Sequence, residues 1–402
     1  MPSSAPIVLE QCTAQLQALG EQIRARRKAL RLSATVTAEA AGLSRVTLHR
    51  IEKGEPSVTM GAWCNAMAAL GMDLQARTGT QQPPATAPDR AGWIPARVAL
   101  ADYPQLRALA WQVHGRTPSR RPKRWAFMNA MRGTWTWKPC PPTKERCWMP
   151  CGWRCSARPK AQGPAMQFER PHHQRIAHVL SALNGETLLQ HGCLFGGGTC
   201  IALRYGEYRE SVDIDFLVSD AAGYRELRHL LTGPDGLAAI THVHAPPLVA
   251  VREIRADQYG IRTQVQMDGQ AIKLEIVREA RIALEALGPD DTLCGVSTLT
   301  SLDLAASKLL ANSDRQADDG VFSRDVIDLA MMNLQLPALR AAPAKATEAY
   351  GPSVARDLGK AIDRLHNRTG WLERCMQAMA MQMPKAVLWQ KVRALRRVVP
   401  DA

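Results

Sequence analysis

The sequence predicts a multidomain chain, with an all-α N-terminal domain followed by an α+β domain that ends in a helical C-terminal part. Three observations carry the prediction. Apolar residues in the first 75 positions recur at helical spacing between short turns, an apolar run near residue 195 enters three consecutive glycines, and a strand-like segment soon after alternates aspartate with apolar residues. A length of 402 residues suits two or three domains, and 46% hydrophobic with 22% charged residues is an ordinary globular balance. No run of about 18 apolar residues occurs, and the N-terminus has no charged segment leading into an apolar core, so neither a membrane span nor a secretory signal is expected. The expectation is a cytoplasmic protein with no membrane partner.

The net charge of +14 is unevenly held. Residues 1–114 carry 12 basic against 8 acidic side chains, residues 115–165 carry 12 against 1, and residues 166–402 carry 27 against 28. The overall charge therefore says little about the two flanking regions, and partners are argued region by region. Four of the ten cysteines, Cys140, Cys147, Cys151 and Cys155, fall in the same basic tract.

Over residues 9–30, Leu16, Leu19, Ile23 and Leu30 form an apolar stripe, with Arg24, Arg26, Arg27 and Lys28 on the exposed side. Two short helices follow, separated by Gly42, which can end a helix in the left-handed conformation, and Ser44, a good N-cap for the next. The second of them spans residues 45–52 and is closed by Gly54 and Pro56; a fourth helix over residues 60–70 buries Trp63, Met67 and Leu70. Through Ile23-Arg24-x-x-Arg27, Ala38-x-x-Ala41-Gly42-Leu43-Ser44 and Thr47-Leu48-x-Arg50-Ile51-Glu52-x-Gly54, residues 16–75 resemble the Cro/xenobiotic-response-element family of helix-turn-helix repressors. The resemblance implies a DNA-binding domain over residues 9–77 whose second helix enters the major groove, with Ser44, Arg45, Thr47 and His49 near base edges and Arg50 nearer the backbone. Operator DNA is the implied partner, bound by a homodimer, since such repressors pair on two-fold sites. Thr37 stands where the family buries a leucine. The alternative is a small helical protein-binding domain.

Residues 78–114 read as a Pro/Gly/Thr-rich linker followed by a helical segment over residues 94–114. Residues 115–165 hold five tryptophans and eight prolines with no hydrophobic period of either kind, and are expected to be disordered. The spacing Cys140-x6-Cys147-x3-Cys151-x3-Cys155 lacks the C-x2-C knuckle of structural zinc sites. A basic, aromatic-interleaved RNA-binding arm is a second reading. A third comes from the genetic code: read one frame over, the codons of residues 125–137 specify helix formers with an apolar repeat, whichever synonymous codons are used. The tract then reads as a frameshift-derived bridge joining two adjacent genes, with Met166 the old start of the second.

The second half carries the chemistry. Leu194-Phe195-Gly196-Gly197-Gly198-Thr199 reads as a strand entering glycines at a helix start, where backbone N–H groups can approach phosphate. Arg209-x-Ser211-Val212-Asp213-Ile214-Asp215-Phe216 follows, and carboxylates at i and i+2 of a strand share a face, as holding a divalent metal requires. Glycine turn and Asp-x-Asp strand resemble the nucleotidyltransferase superfamily. With Lys308-Leu309-Leu310-Ala311 and Ser323-Arg324-Asp325-Val326-Ile327-Asp328-Leu329, residues 170–340 are close to the AbiEii-type toxin family. The fold implied is a nucleotidyltransferase-fold α+β domain over residues 166–340, followed by the helical part over residues 341–402.

The resemblance implies that Asp213 and Asp215 hold Mg²⁺ or Mn²⁺ on a nucleoside triphosphate, while Gly197, Gly198 and Thr199 bind phosphate. Glu275, on the alternating run Ile272-Lys273-Leu274-Glu275-Ile276, is the candidate third carboxylate, sharing the metal or taking the proton of the attacking hydroxyl. Lys308 contacts the nucleotide or is an exposed helical lysine; Asp325 and Asp328 orient substrate or form salt bridges; Arg209 and Ser211 fix the site's turn. The basic run Lys385, Lys391, Arg393, Arg396 and Arg397 either helps hold RNA or is a solvated face. Together the two halves imply a toxin–antitoxin-type fusion that transfers a nucleoside monophosphate to tRNA or another nucleic acid. Two alternatives share these residues: a DNA-binding regulator that only senses nucleotide, and an enzyme that adds AMP to protein.

Overall fold

A computed structural model describes residues 8–75, 97–98, 119–120 and 168–399. Most of the predicted segment 78–114 and of the 115–165 tract, with its cysteines and Met166, lies outside the described residues. Two pairs within it are described: β1 (Arg97–Val98) pairs antiparallel with β2 (Ser119–Arg120). Residues 97 and 98 are therefore extended where a helix was expected, their backbone taking its partners from another strand instead of from helical turns.

The N-terminal helices are α1 (Glu10–Ala29), α2 (Ala34–Ala41), α3 (Arg45–Glu52) and α4 (Met60–Ala69). Local chemistry sets their ends. Ser33, Ser44 and Thr59 each accept a backbone N–H of the first turn they precede, and Gly42 ends α2 at φ 66°. Ile23, Leu48, Ile51, Trp63, Met67 and Leu70 form the core, closed on one side by the Arg27–Glu52 ion pair at 2.6 Å. Thr37 is fully buried in this core, and its hydroxyl donates to Ser33 O at 3.0 Å, so the place of a leucine is filled without an unpaired polar group.

Beyond residue 168 the order is α5 (Pro171–Ala182), α6 (Gly185–Gln190), β3 (Cys193–Gly196), α7 (Gly197–Arg204), β4 (Ile214–Val218), α8 (Ala221–Thr232), β5 (Val249–Ala256), β6 (Gly260–Met267) and β7 (Gln270–Arg278). A short hairpin of β8 (Thr292–Leu293) and β9 (Val296–Ser297) leads to α9 (Ser301–Arg315), α10 (Arg324–Met331), α11 (Leu336–Tyr350), α12 (Ser353–Asn367), α13 (Trp371–Ala378) and α14 (Lys385–Ala394). The five-stranded sheet has the order β3-β4-β7-β6-β5, antiparallel throughout except for the parallel pair β4–β7. β4 is mostly buried, whereas β6 and β7 alternate, with Ile261, Thr263, Val265, Ile272, Leu274 and Ile276 inward. The ladder of β4 begins at Ile214, so Asp213 and Val212, expected on the strand with Asp215, lie in the loop before it, with Val212 50% exposed.

α14 packs on α10 at one side and on α2 at the other. Trp389 is 3% exposed; its ring stacks on His366, and its Nε1 donates to Glu39 Oε2 at 2.9 Å. Arg393 lies 3.3 Å from the same carboxylate. The helix-turn-helix and the helical C-terminal part therefore share an interface, while Arg45, Val46 and His49 on α3 stay exposed. Replacing Trp389 with Phe removes the bond to Glu39 and leaves part of the indole's space unfilled, a loss of at least about 1 kcal/mol. Urea unfolding of the full chain should show this loss, with faster amide exchange in α2.

Candidate active site

The turn between β3 and α7 is tight enough to exclude any side chain. Gly197 sits at φ 69°, and a Cβ there would meet Asp215 Oδ2 at 2.6 Å; a Cβ on Gly198 would meet Arg209 Nη2 at 2.2 Å. The glycines therefore bring the backbone at the start of α7 directly against a carboxylate and a guanidinium. Thr199, buried one residue later, spends its hydroxyl on Asp213 O and on Ser211 Oγ, so its side chain ties the two halves of the site together. What Thr199 has left for an anion is its backbone N–H.

Asp213 and Asp215 line a cleft of about 660 Å³ together with Gly197, Gly198, Arg209 and Glu275. The parallel register sets Asp215 opposite Glu275, one strand spacing apart. Neither aspartate side chain has a hydrogen-bond or ion-pair partner among the described residues. Burial, then the charges of Asp213 and Glu275, pushes the Asp215 carboxyl up, against opposition from Lys273 and Lys308. Glu275 differs. Burial works against its ionisation, but Lys273 and Arg262, the latter at 2.6 Å, outweigh burial and hold it below the usual range.

The helical wall of the cleft supplies cations. Lys308 is 6% exposed, not the solvated helical lysine that was one expectation, because α9 is covered by α10, α11 and α12. Its Nζ lies 3.0 Å from Asp325 and 2.8 Å from Asp328. Asp328 also receives Arg209 at 2.6 and 3.0 Å and the Tyr208 hydroxyl at 2.6 Å, and Asp325 receives Arg315 at 2.6 Å. Burial opposes ionisation at both aspartates, but Lys308 with Arg315 at Asp325, and Arg209 with Lys308 at Asp328, hold both carboxyls low. Asp325 and Asp328 thus form salt bridges, and the surplus cations face the cleft beside Arg324. Two left-handed residues, Phe322 and Ser323, turn the chain into α10; Trp371 secures them by stacking on Phe322 and donating to Ser323 Oγ at 3.0 Å.

Several contributing residues were not singled out in the sequence. Ser211 N–H donates to His173 Nε2 at 3.1 Å, which sets the tautomer so that Nδ1 donates to Glu207 Oε1 at 2.8 Å. Glu207 also accepts the N–H groups of Glu169 and Arg170, so one carboxylate fixes both the start of α5 and the active-site turn. Lys273 had a local signal, two residues from Glu275 on one strand face. So had Arg315, two helical turns after Lys308. His173 and Glu207, 34 residues apart, had none.

Among the described residues no group of three or more such side chains is assembled to hold a metal ion. Two unpaired, hard-oxygen carboxylates nevertheless fit Mg²⁺, which is commonly bound through one or two carboxylates plus substrate phosphates rather than in an all-protein cage. Residues 178–396, more than half of the chain, match the family model described as nucleotidyl transferase AbiEii toxin, type IV toxin–antitoxin system. The chain belongs to the AbiEii toxin family.

Residues 18–78 match a helix-turn-helix domain model, so an AbiEii domain is joined here to a DNA-binding type of domain, as in a toxin–antitoxin-like fusion. Among solved structures, JHP933 from Helicobacter pylori is similar at 15% identity and a TM-score of 0.35, over 58% of this chain and 93% of that one. Another H. pylori protein, provisionally described as a nucleotidyltransferase, is similar at 17% identity and a TM-score of 0.33, over 56% and 94%. No curated protein matches the chain. In the helix-turn-helix, Ser44 and Thr47 are engaged with each other at 2.8 Å in capping α3, and Arg50 pairs with Glu55 and Ser57 at 2.6 Å. That leaves Arg45 and His49 as exposed polar side chains on α3.

Three expectations follow from the site's electrostatics. Asp328→Ala strands Arg209 as a buried cation and leaves Lys308 with Asp325 alone, and should cost about 3–5 kcal/mol in equilibrium unfolding. Because the carboxyls of Asp325 and Asp328 are depressed, their contribution is complete above the ordinary aspartate pKa of ~4 and is lost as pH falls below it, which unfolding midpoints between neutral pH and pH 3 would record. Asp215 is the opposite case. Its raised pKa makes the ionised form unfavourable in the fold, so Asp215→Asn should raise the unfolding midpoint of the metal-free chain at pH 7.

Proposed function

We infer that the chain is a divalent-metal-dependent nucleotidyltransferase that moves a nucleoside monophosphate from a nucleoside triphosphate to a nucleic-acid acceptor, tRNA being the favoured class. Its helix-turn-helix binds operator DNA through Arg45 and His49, with Ser44, Thr47 and Arg50 supporting the contact. The single observation that carries the transferase reading is the unpaired couple Asp213 and Asp215, on the sheet wall of a cleft whose helical wall presents Lys308, Arg315 and Arg324. Carboxylates on one wall and cations on the other suit a substrate that is a metal ion at one end and a polyphosphate along its length.

In this reading Asp213 and Asp215 would hold Mg²⁺ or Mn²⁺, and the bound ion would supply charge neutralisation of the triphosphate. The backbone N–H groups of Gly197, Gly198 and Thr199 at the start of α7 receive phosphate oxygens. Arg209 and Ser211 keep that turn in place, Arg209 through Asp328 and Ser211 through Thr199 and His173. Glu275, kept ionised by Lys273 and Arg262, accepts the proton of the attacking hydroxyl. The acceptor oxygen bonds to the α-phosphorus as the α–β bridging bond breaks, and pyrophosphate leaves with the charge matched by Lys308, Arg315 and Arg324. Catalysis consists of positioning and charge neutralisation.

Incubating the full chain with each of the four labelled nucleoside triphosphates, Mg²⁺, total tRNA and total protein tests the reading. The expected result is label on RNA that disappears in both Asp213→Ala and Asp215→Ala. Label on protein would move the enzyme to protein modification, and nucleotide binding with no label on either acceptor would leave a regulator that senses nucleotide.

A further inference from the structure

Among the described residues, one face of the sheet is left uncovered beside the cleft. β6 and β7 bury their inward residues and turn Arg262, Gln264, Lys273 and Glu275 the other way. The register links Asp215 to Glu275, Glu275 to Arg262 and Arg262 to Arg255, so a transverse row of four side chains runs from the candidate metal ligand to the sheet edge. Three strand spacings make that row about 14 Å long. Beside it lies a second row, Lys273, Gln264 and Arg252.

A groove of about 440 Å³ lies over the outer half of the first row and over the second, lined by Arg252, Arg255, Arg262, Gln264 and Lys273, with Glu253 as the acid among its lining residues. Lys273 also lines the first cleft, so the two adjoin at this side chain. Two features of β5 are costly for folding alone. Arg252 and Arg255 are three apart, which on a regular strand would put them on opposite faces, and register shifts on either side of Arg252 bring both to the groove. Arg255 also sits directly across from Arg262, a like-charge pairing that disfavours the sheet. Arg262 is compensated by Asp257 and Glu275, whereas the guanidinium groups of Arg252 and Arg255 have no acid partner among the described residues. A polyanion lying in the groove supplies what the fold does not.

We propose that this groove is the track of the acceptor, a single-stranded RNA end whose phosphates lie along Arg255, Arg252 and Lys273 and whose terminal hydroxyl enters the cleft at Asp215. This rests on the transferase reading and adds to it where the acceptor lies. Tyr259, 66% exposed at the β5–β6 turn, offers a ring on which a base can stack. The edge position of β5 leaves room for the strand to continue past the protein.

The test measures binding apart from transfer. Fluorescence anisotropy with a short single-stranded RNA and with tRNA compares the full chain with Arg252→Glu/Arg255→Glu, both carrying Arg45→Glu to silence the helix-turn-helix. The expected result is RNA affinity weakened about tenfold or more, a salt slope shallower by about 0.7 for each lost phosphate contact, and unchanged nucleoside triphosphate affinity. Arg252→Gln/Arg255→Gln, with a smaller loss in the same direction, separates charge reversal from misfolding. RNA affinity and salt slope that do not change overturn the track. Label transferred to protein and indifferent to these substitutions does so too, whereas RNA binding that depends on them in a chain transferring no nucleotide refutes only the transferase reading.

Discussion

The site rests on a buried chain of alternating charge, Arg209–Asp328–Lys308–Asp325–Arg315, that joins the loop before β4 to α9 and α10. Buried ion pairs seldom stabilise a fold relative to apolar packing, but removing one member is severely punished because its partner is left uncompensated. The chain therefore behaves as a latch: each element must be in place before the others can close. Three cations share two carboxylates, so the assembled latch carries net positive charge against the cleft, where phosphate would be received.

The glycine turn depends on that latch directly. The guanidinium of Arg209 occupies the space where a side chain on Gly198 would lie, and Asp215 occupies the corresponding space at Gly197. On the other side, His173 and Glu207 hold Ser211 by its backbone. Asp213 and Asp215 thus stand between two rigid supports while having no partners themselves. Unpaired carboxylates are thus concentrated on the two groups proposed for the chemistry, and the surrounding ion pairs hold their frame.

Much of this was legible in the sequence because it is encoded locally. The Ser44 cap, Gly42 and the three-glycine turn each act within a few residues, and the alternation that nominated Glu275 places it on a strand, with its side chain on the cleft face. What escaped depends on distant neighbours. Lys308 reads as surface or site on a helical wheel, and only the packing of α10, α11 and α12 around α9 decides that it is buried. Val212 and Asp213 read as part of the strand that carries Asp215, yet β4 pairs only from Ile214 onward. Glu207 receives His173 from another helix, and the two groove arginines share a face only because a ladder slips its register.

The seat of the helix-turn-helix on α14 has a consequence for how such a chain is distributed in a cell. α2 is the face spent on the enzyme, and the α3 side chains that would meet DNA stay outside that contact. A chain resting on an operator therefore carries its cleft with it, at a ratio of one to one that dilution does not alter. On the proposed function, the genome becomes a reservoir for the enzyme, and the copies available to meet freely diffusing acceptors fall as vacant sites on DNA increase. Regulation of location and regulation of transcription then become a single binding equilibrium.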